Sequence, residues 1–128
     1  MTVTRRIKSE ERDFLKMDCL FCKIIAGQIP AKKVYEDERV FVFEDLNPQA
    51  PTHFLIIPKK HIAGLDQASA EDADLLGYCE LTAAKLARER KIEDGYRTLY
   101  NVGPRSGQSI FHLHLHLMGG RDLKWPPG

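Results

Sequence analysis

The sequence predicts an α+β domain organised on a mainly antiparallel sheet. Three features carry that reading: short β-rich runs separated by turn-forming residues, one long segment with helical periodicity, and a strict alternation of histidine with apolar residues near the C-terminus. The chain has 128 residues, 43% of them hydrophobic, which suffices for one core without disulfide staples and is too short for two domains.

Residues 1–16 hold Arg5, Arg6, Lys8, Glu10, Glu11, Arg12 and Asp13 and lack the apolar stretch of a signal peptide. They read as a charged, flexible arm ahead of a single domain over residues 17–128. Leu20, Phe21, Ile24 and Ile25 recur at helical spacing before Gly27, so residues 19–25 are predicted as a short helix closed by glycine. Residues 33–36 and 39–44 form a predicted hairpin around Asp37-Glu38, and the apolar run 53–57, ended by Pro58, reads as a central strand. Ser69 and Asp72 resemble a capping box, and Leu76, Cys79, Ala83, Leu86 and Ala87 mark one face of a long helix reaching about residue 91. Residues 97–102 and 110–118 are the predicted fourth and fifth strands. The tail Trp125-Pro126-Pro127-Gly128 cannot extend either element, because two prolines withhold amide donors.

Lys and Arg number 19 against 18 Asp and Glu, a net charge of +1 with no basic stripe, which argues against nucleic acid as partner. No apolar run reaches the ~18 residues of a membrane span, so no membrane partner and a cytoplasmic setting are expected. Three cysteines, an odd number, suit thiols or metal better than a disulfide framework.

The five histidines fall in two places: His53 and His61 flank the third predicted strand, and His112, His114 and His116 alternate along the fifth. In a strand these three would share a face with Ile110 and Met118, while Phe111, Leu113, Leu115 and Leu117 would share the core face. Successive rings roughly 7 Å apart would span too far for one ion with bonds of ~2 Å, which disfavours a three-histidine zinc site. A reacting group several atoms long could lie across the row, the middle ring attacking and its neighbours handling protons. Neutral imidazole, with a pKa near ~6.5, suits attack on phosphorus or an acyl carbon. The preceding loop, residues 103–109, can turn backbone amides toward an anion, with the Ser109 hydroxyl as a further donor. Pro104 and Arg105 add a positive charge there.

The string His112-Leu113-His114-Leu115-His116-Leu117-Met118 resembles the histidine triad motif, and Gly107-Gln108-Ser109 matches its usual approach. Asp45 with Pro48-Gln49-Ala50-Pro51-Thr52-His53, Ile57-Pro58-Lys59-Lys60-His61, Asn101 and the terminal Trp-Pro-Pro-Gly resemble the Hint branch, the histidine triad nucleotide-binding proteins. The resemblance covers residues 19–128. It implies a five-stranded antiparallel sheet with two helices, pairing into a ten-stranded sheet in a homodimer. The implied activity is hydrolysis of purine nucleoside phosphoramidates, releasing AMP and an amine through a nucleotidyl-histidine, with no cofactor required for catalysis. His114 would be the nucleophile, His116 would hydrogen-bond the phosphate or leaving group, His112 with His61 would form a relay fixing the nucleophile's tautomer, and Ser109 would assist amine departure. Asp45 would hold the ribose diol, and Leu20, Phe21, Ile24, Ile29, Phe43 and Leu46 match purine-sandwiching positions, though each also suits the core. Asn101, Gly107, Gln108 and Ser109 join His114 and His116 in the implied nucleotide site. Trp125, in a tail with nothing regular to pack it, would reach across a subunit boundary. Related branches cleave dinucleoside polyphosphates or transfer nucleotidyl groups, and a nucleotide-sensing module with incidental hydrolysis is the third reading.

Cys19-Leu20-Phe21-Cys22 has three readings: half of a zinc site, a redox pair, or inert helix thiols. In some bacterial-type relatives the zinc site is completed by residues that correspond to His61 and His112, which would then be ligands of a structural zinc. Cys79, on the apolar helix face, reads as core.

Overall fold

The computed structural model describes residues 18–128, so the predicted arm at residues 1–16 lies outside the described residues. Among these residues seven elements follow one another: α1 (Leu20–Ile25), β1 (Lys33–Glu36), β2 (Val40–Glu44), β3 (Thr52–Pro58), α2 (Ala73–Glu89), β4 (Tyr96–Leu99) and β5 (Leu115–Gly119), with single 3-10 turns at Leu65–Gln67, Ala70–Asp72 and Pro104–Ser106. The strands make one sheet in the order β1-β2-β3-β5-β4, every pairing antiparallel. The α+β class, the five-stranded antiparallel sheet and the two helices match the sequence expectation.

Alternation along β2 and β3 divides the interior in two. Val40, Val42, Phe54 and Ile56 point to one face with Leu115 and Leu117, where α2 covers them with Cys79, Ala83, Leu86 and Ala87. Phe41, Phe43, Leu55 and Ile57 point to the other, where α1 covers them with Phe21 and Ile24. Strands buried on both faces read as continuous apolar runs, which explains Val-Phe-Val-Phe and Phe-Leu-Ile-Ile. His53 and His116 project from the second face: Leu55 pairs with His116 and His53 with Met118, so the two rings are diagonal neighbours.

Helix α1 begins at Cys19, which has extended backbone angles and whose Sγ accepts the amide of Cys22 at 3.4 Å. Gly27 ends it at φ +78°, a left-handed conformation that a side chain would strain. The Ser69–Asp72 box forms: the Ser69 amide donates to Asp72 Oδ2 at 3.0 Å ahead of α2.

Three expectations need correction. The predicted fifth strand over residues 110–118 begins only at Leu115. Before it, the Leu113 amide donates to the Ile62 carbonyl at 2.6 Å and His112 Nε2 donates to the Pro58 carbonyl at 2.7 Å, tying this stretch to the end of β3 and the loop after it. Alternation reports which way side chains point and is blind to whether a ladder exists. Phe111, assigned to the core face, is accordingly 50% exposed. The fourth strand is shorter than residues 97–102, and α2 stops at Glu89 because Lys91 turns left-handed.

Candidate active site and metal centre

His114 sits in the extended stretch just before β5, half-buried, with the Phe21 ring edge-on at 5.1 Å between centroids. Its Nδ1 lies 2.7 Å from the carbonyl oxygen of His112. A carbonyl only accepts, so Nδ1 carries the proton and the neutral ring presents a bare lone pair at Nε2. That is the state a nitrogen nucleophile needs.

A second network fixes His116. The Gln49 amide donates to His53 Nδ1 at 3.0 Å, which leaves the proton of His53 on Nε2. His53 Nε2 lies 2.9 Å from His116 Nδ1 and 3.5 Å from Asp45 Oδ2. His116 Nδ1 therefore accepts, and its Nε2 carries a proton; that atom is buried and has no protein partner. The result is a bare imidazole nitrogen beside an unspent N–H donor, the two rings 5.1 Å apart at their centroids. His53 was legible in the sequence only as part of a motif; its role needs the diagonal strand pairing.

Burial keeps this cluster neutral. It pushes His53 and His114 below the ordinary histidine range, against the pull of Asp45 on both and of the His112 carbonyl on His114. His116 is pushed down to about 4 by burial, reinforced by the positive charge that His114 and His53 would carry. An unfolded chain takes up these protons below pH ~6.5, whereas the native one refuses them. Stability is therefore expected to be full above pH ~6.5 and to fall steadily toward pH 4, and thermal melts across that window check it. His116→Gln should flatten the slope; an unchanged slope would remove His116 from the cause.

Cys19, Cys22, His61 and His112 form a further cluster whose donor atoms all lie within 4.8 Å of one another. Cys19 Sγ and Cys22 Sγ approach His112 Nδ1 at 3.4 and 3.5 Å, and Cys22 Sγ approaches His61 Nδ1 at 3.3 Å. Two thiolates and two imidazoles around zinc, with bonds of ~2.3 and ~2.0 Å, would stand about 3.6 Å apart, so the donor set and spacing fit that ion. Because Nε2 of His112 is spent on the Pro58 carbonyl, Nδ1 is the bare nitrogen, as a metal ligand requires. Asp45, His53 and His116 also lie close together, but the Gln49 amide keeps a proton on His53 Nε2, which makes that trio a proton network.

The expected roles shift accordingly. His112 is fully buried with its ring 4.8 Å from that of His61 between centroids, and its main-chain carbonyl is the group that Nδ1 of His114 meets. The rings of His114 and His116 stand 5.1 Å apart between centroids with their planes 54° apart, closer than the ~7 Å expected of a straight strand. Gln108, expected at the nucleotide, is buried and braces the loop through the Gly103 amide and the carbonyls of Ala63 and Ile110. Gly107 sits at φ +98°, and Ser109 is exposed just before the histidines. Phe21, Ile24 and Phe43 are core, Ile29 packs partly on it, and Leu20 is partly exposed. Asn101 is half-buried just after β4. Leu46 and Trp125 are 89% and 83% exposed, a large apolar cost left open. A cleft of about 180 Å³ is lined by Asp45, Leu46, Pro48, Pro51, His53, Lys32 and Glu44. A larger one of about 640 Å³, between residues 91–97 and 120–123, contains none of the histidines. Cys79 is buried and its thiol pushed up to about 12 by that burial, as an inert core residue should be.

Comparison with known proteins agrees with this geometry. The family model described as HIT domain matches residues 26–123. An uncharacterized HIT-like protein of Synechococcus elongatus is 51% identical over 111 residues, 87% of this chain and 97% of that protein. A 14 kDa zinc-binding protein of Zea mays is 50% identical over 111 residues, 85% of this chain and 87% of that protein. The crystal structure of a HIT family hydrolase from Legionella pneumophila superposes with a TM-score of 0.84 at 50% identity, covering 86% of this chain and 99% of that one.

Proposed function

The chain belongs to the HIT domain family, and from that premise we propose that it is a Hint-branch purine nucleoside phosphoramidase that releases AMP and an amine through a covalent nucleotidyl-histidine. One observation carries the reading: His114 Nε2 is a bare nucleophile, locked in that tautomer by the His112 carbonyl, next to the proton-bearing Nε2 of His116. The similarity to a HIT family hydrolase supports hydrolysis as the class of reaction.

In this reading His114 Nε2 gives its lone pair to the α-phosphorus as the phosphorus–amine bond breaks, and the departing nitrogen keeps that bond's electrons and takes a proton. An amine leaves poorly without one, and the N–H of His116, with the hydroxyl of Ser109, supplies donors at that place. Water then attacks the same phosphorus and gives its proton to the group that served the amine, restoring it, while the bond to His114 breaks with its electron pair returning to Nε2, so that the imidazole is neutral again. Half-burial strengthens each of these hydrogen bonds relative to water. Asp45 can accept from a ribose diol: Oδ1 already takes the Asn47 amide at 2.8 Å, but each carboxylate oxygen has a further lone pair, and Asp45 lines the cleft beside Leu46.

The same reading makes the working unit a homodimer. Strand β4 is an edge of the sheet, and Leu46 and Trp125 leave apolar area that a second copy and a nucleotide would cover. It also makes residues 17–128 one catalytic domain, working in the cytoplasm, where free thiols such as Cys19, Cys22 and Cys79 stay reduced. No helix of the described residues is long and apolar enough to cross a membrane.

The test is a substrate pair: an adenosine 5′-phosphoramidate of a simple amine against a diadenosine polyphosphate, with AMP release followed by chromatography. A kcat/KM at least about 10-fold higher for the phosphoramidate, some 1.4 kcal/mol of transition-state preference, is expected. The opposite preference would replace this reading with polyphosphate cleavage, and release from neither would leave a nucleotide-sensing module.

A further inference from the structure

Resting on the reading of His114 as nucleophile, we propose that Cys19, Cys22 and His61 are positioning residues for it: by holding a zinc ion together with His112 they lock the stretch that sets the His114 tautomer and orientation. The nucleophile lies outside the sheet. Strand β5 begins at Leu115, so no ladder fixes residues 110–114, and they are tethered instead to the last residue of β3, Pro58, and to Ile62 in the loop after it. His112 is the centre of those tethers. Its Nε2 donates to the Pro58 carbonyl at 2.7 Å, its Nδ1 faces both cysteine sulfurs at 3.4–3.5 Å, and its own carbonyl takes the Nδ1 proton of His114 at 2.7 Å. One residue thus joins the metal cluster to the nucleophile through a single peptide unit.

A second connection runs through α1. Cys19 caps that helix and Cys22 lies in its first turn, so gripping both sulfurs fixes the helix against the sheet. Phe21, between them, places its ring edge-on against His112 at 6.0 Å and His114 at 5.1 Å. A short helix of 6 residues has little stability of its own, so its placement rests on packing and on whatever holds the two sulfurs. Backbone carbonyl and aromatic edge together define where His114 Nε2 points, and both depend on the same four donors. The zinc supplies no step of the reaction; it replaces the missing ladder.

The test uses the full chain with ¹⁵N-labelled histidine and zinc alone as the probe, at one neutral pH and without nucleotide. The loaded chain should bind one zinc and show His114 as the pure Nδ1–H form; after chelation, with the fold verified by circular dichroism, His114 should become a mixture of tautomers. With the adenosine phosphoramidate, kcat should fall about 10- to 100-fold with KM little changed, and zinc should restore it. Cys22→Ser should lose zinc and reproduce the stripped state. Identical His114 signals in the loaded and stripped chains, no zinc uptake, or full zinc uptake by Cys22→Ser would each overturn the proposal. Where stripping unfolds the chain, Phe21→Leu decides: it keeps all four donors, so a zinc-loaded variant with an altered His114 tautomer supports the coupling and unaltered signals end it. The spectroscopic result stands apart from turnover, so a chain that orders His114 with zinc yet cleaves no phosphoramidate would sink the functional reading and leave this one.

Discussion

A His114→Ala chain is expected to lose about 10⁴-fold or more in kcat/KM toward a phosphoramidate while remaining folded. The magnitude follows from the role: without the Nε2 lone pair no covalent intermediate forms, and neither neighbouring nitrogen can substitute. His112 is fully buried with both ring nitrogens engaged, and His116 presents a proton rather than a lone pair. Stability should change little, because burial already holds His114 below its ordinary pKa, so the ring adds no native charge pairing to lose. The measurement is AMP release together with intact mass of the chain after a rapid, non-acidic quench. The adenylylated species should accumulate in the wild type and be absent from the variant. Equal turnover by both chains would remove His114 as nucleophile and the functional reading with it.

The largest expected effect on stability is at Ile56→Ala. Ile56 is wholly buried at the middle of the central strand, paired with Val42 on one side and Leu115 on the other, in the cluster covered by α2. Removing three carbons there leaves a cavity that two flanking strands and a 17-residue helix cannot close, at a cost of about 3–4 kcal/mol and a Tm lowered by roughly 10–20 °C. Leu46→Ala, at a side chain 89% exposed, should cost less than about 0.5 kcal/mol in the same melts. Both are read at one protein concentration, since dimer formation would make Tm concentration-dependent. A loss below about 1 kcal/mol at Ile56 would mean that α2 does not pack over Ile56 in solution.

Much of the site was legible in the sequence because the residue types were unusual and ordered. Three histidines at period two, a Cys-x-x-Cys pair and an Asp followed by Pro-Gln-Ala-Pro-Thr-His are rare enough to mark themselves, and their order along the chain carried the family resemblance. The four-donor cluster was anticipated as one of three readings of the cysteines, and the structure brings all four residues together. Residue types alone suggest a ring relay between His112 and His61, but they cannot display the backbone carbonyl of His112 that Nδ1 of His114 meets, because every residue has one. The place of His53 in the proton network is invisible in the sequence, because its contact with His116 spans 63 positions and exists only through the β3–β5 register. Gln108 reads in the sequence as a ligand residue, and its side-chain amide is engaged with the Gly103 amide and the Ala63 carbonyl in closing the loop.

The sequence by itself determined the architecture and the chemistry available: apolar runs long enough to be buried on both faces, one amphipathic helix, and a set of imidazoles and thiols that suits phosphorus chemistry and zinc. Tertiary structure decided which nitrogen of His53, His112, His114 and His116 carries the proton, which ring faces the cysteines, and that His114 lies ahead of the strand rather than on it. The physical reason is that side-chain periodicity is a local property of the chain. Tautomers and tethers are set by single acceptors and donors brought within 3 Å by distant segments, such as the Pro58 carbonyl at 2.7 Å from His112 and the Gln49 amide at 3.0 Å from His53.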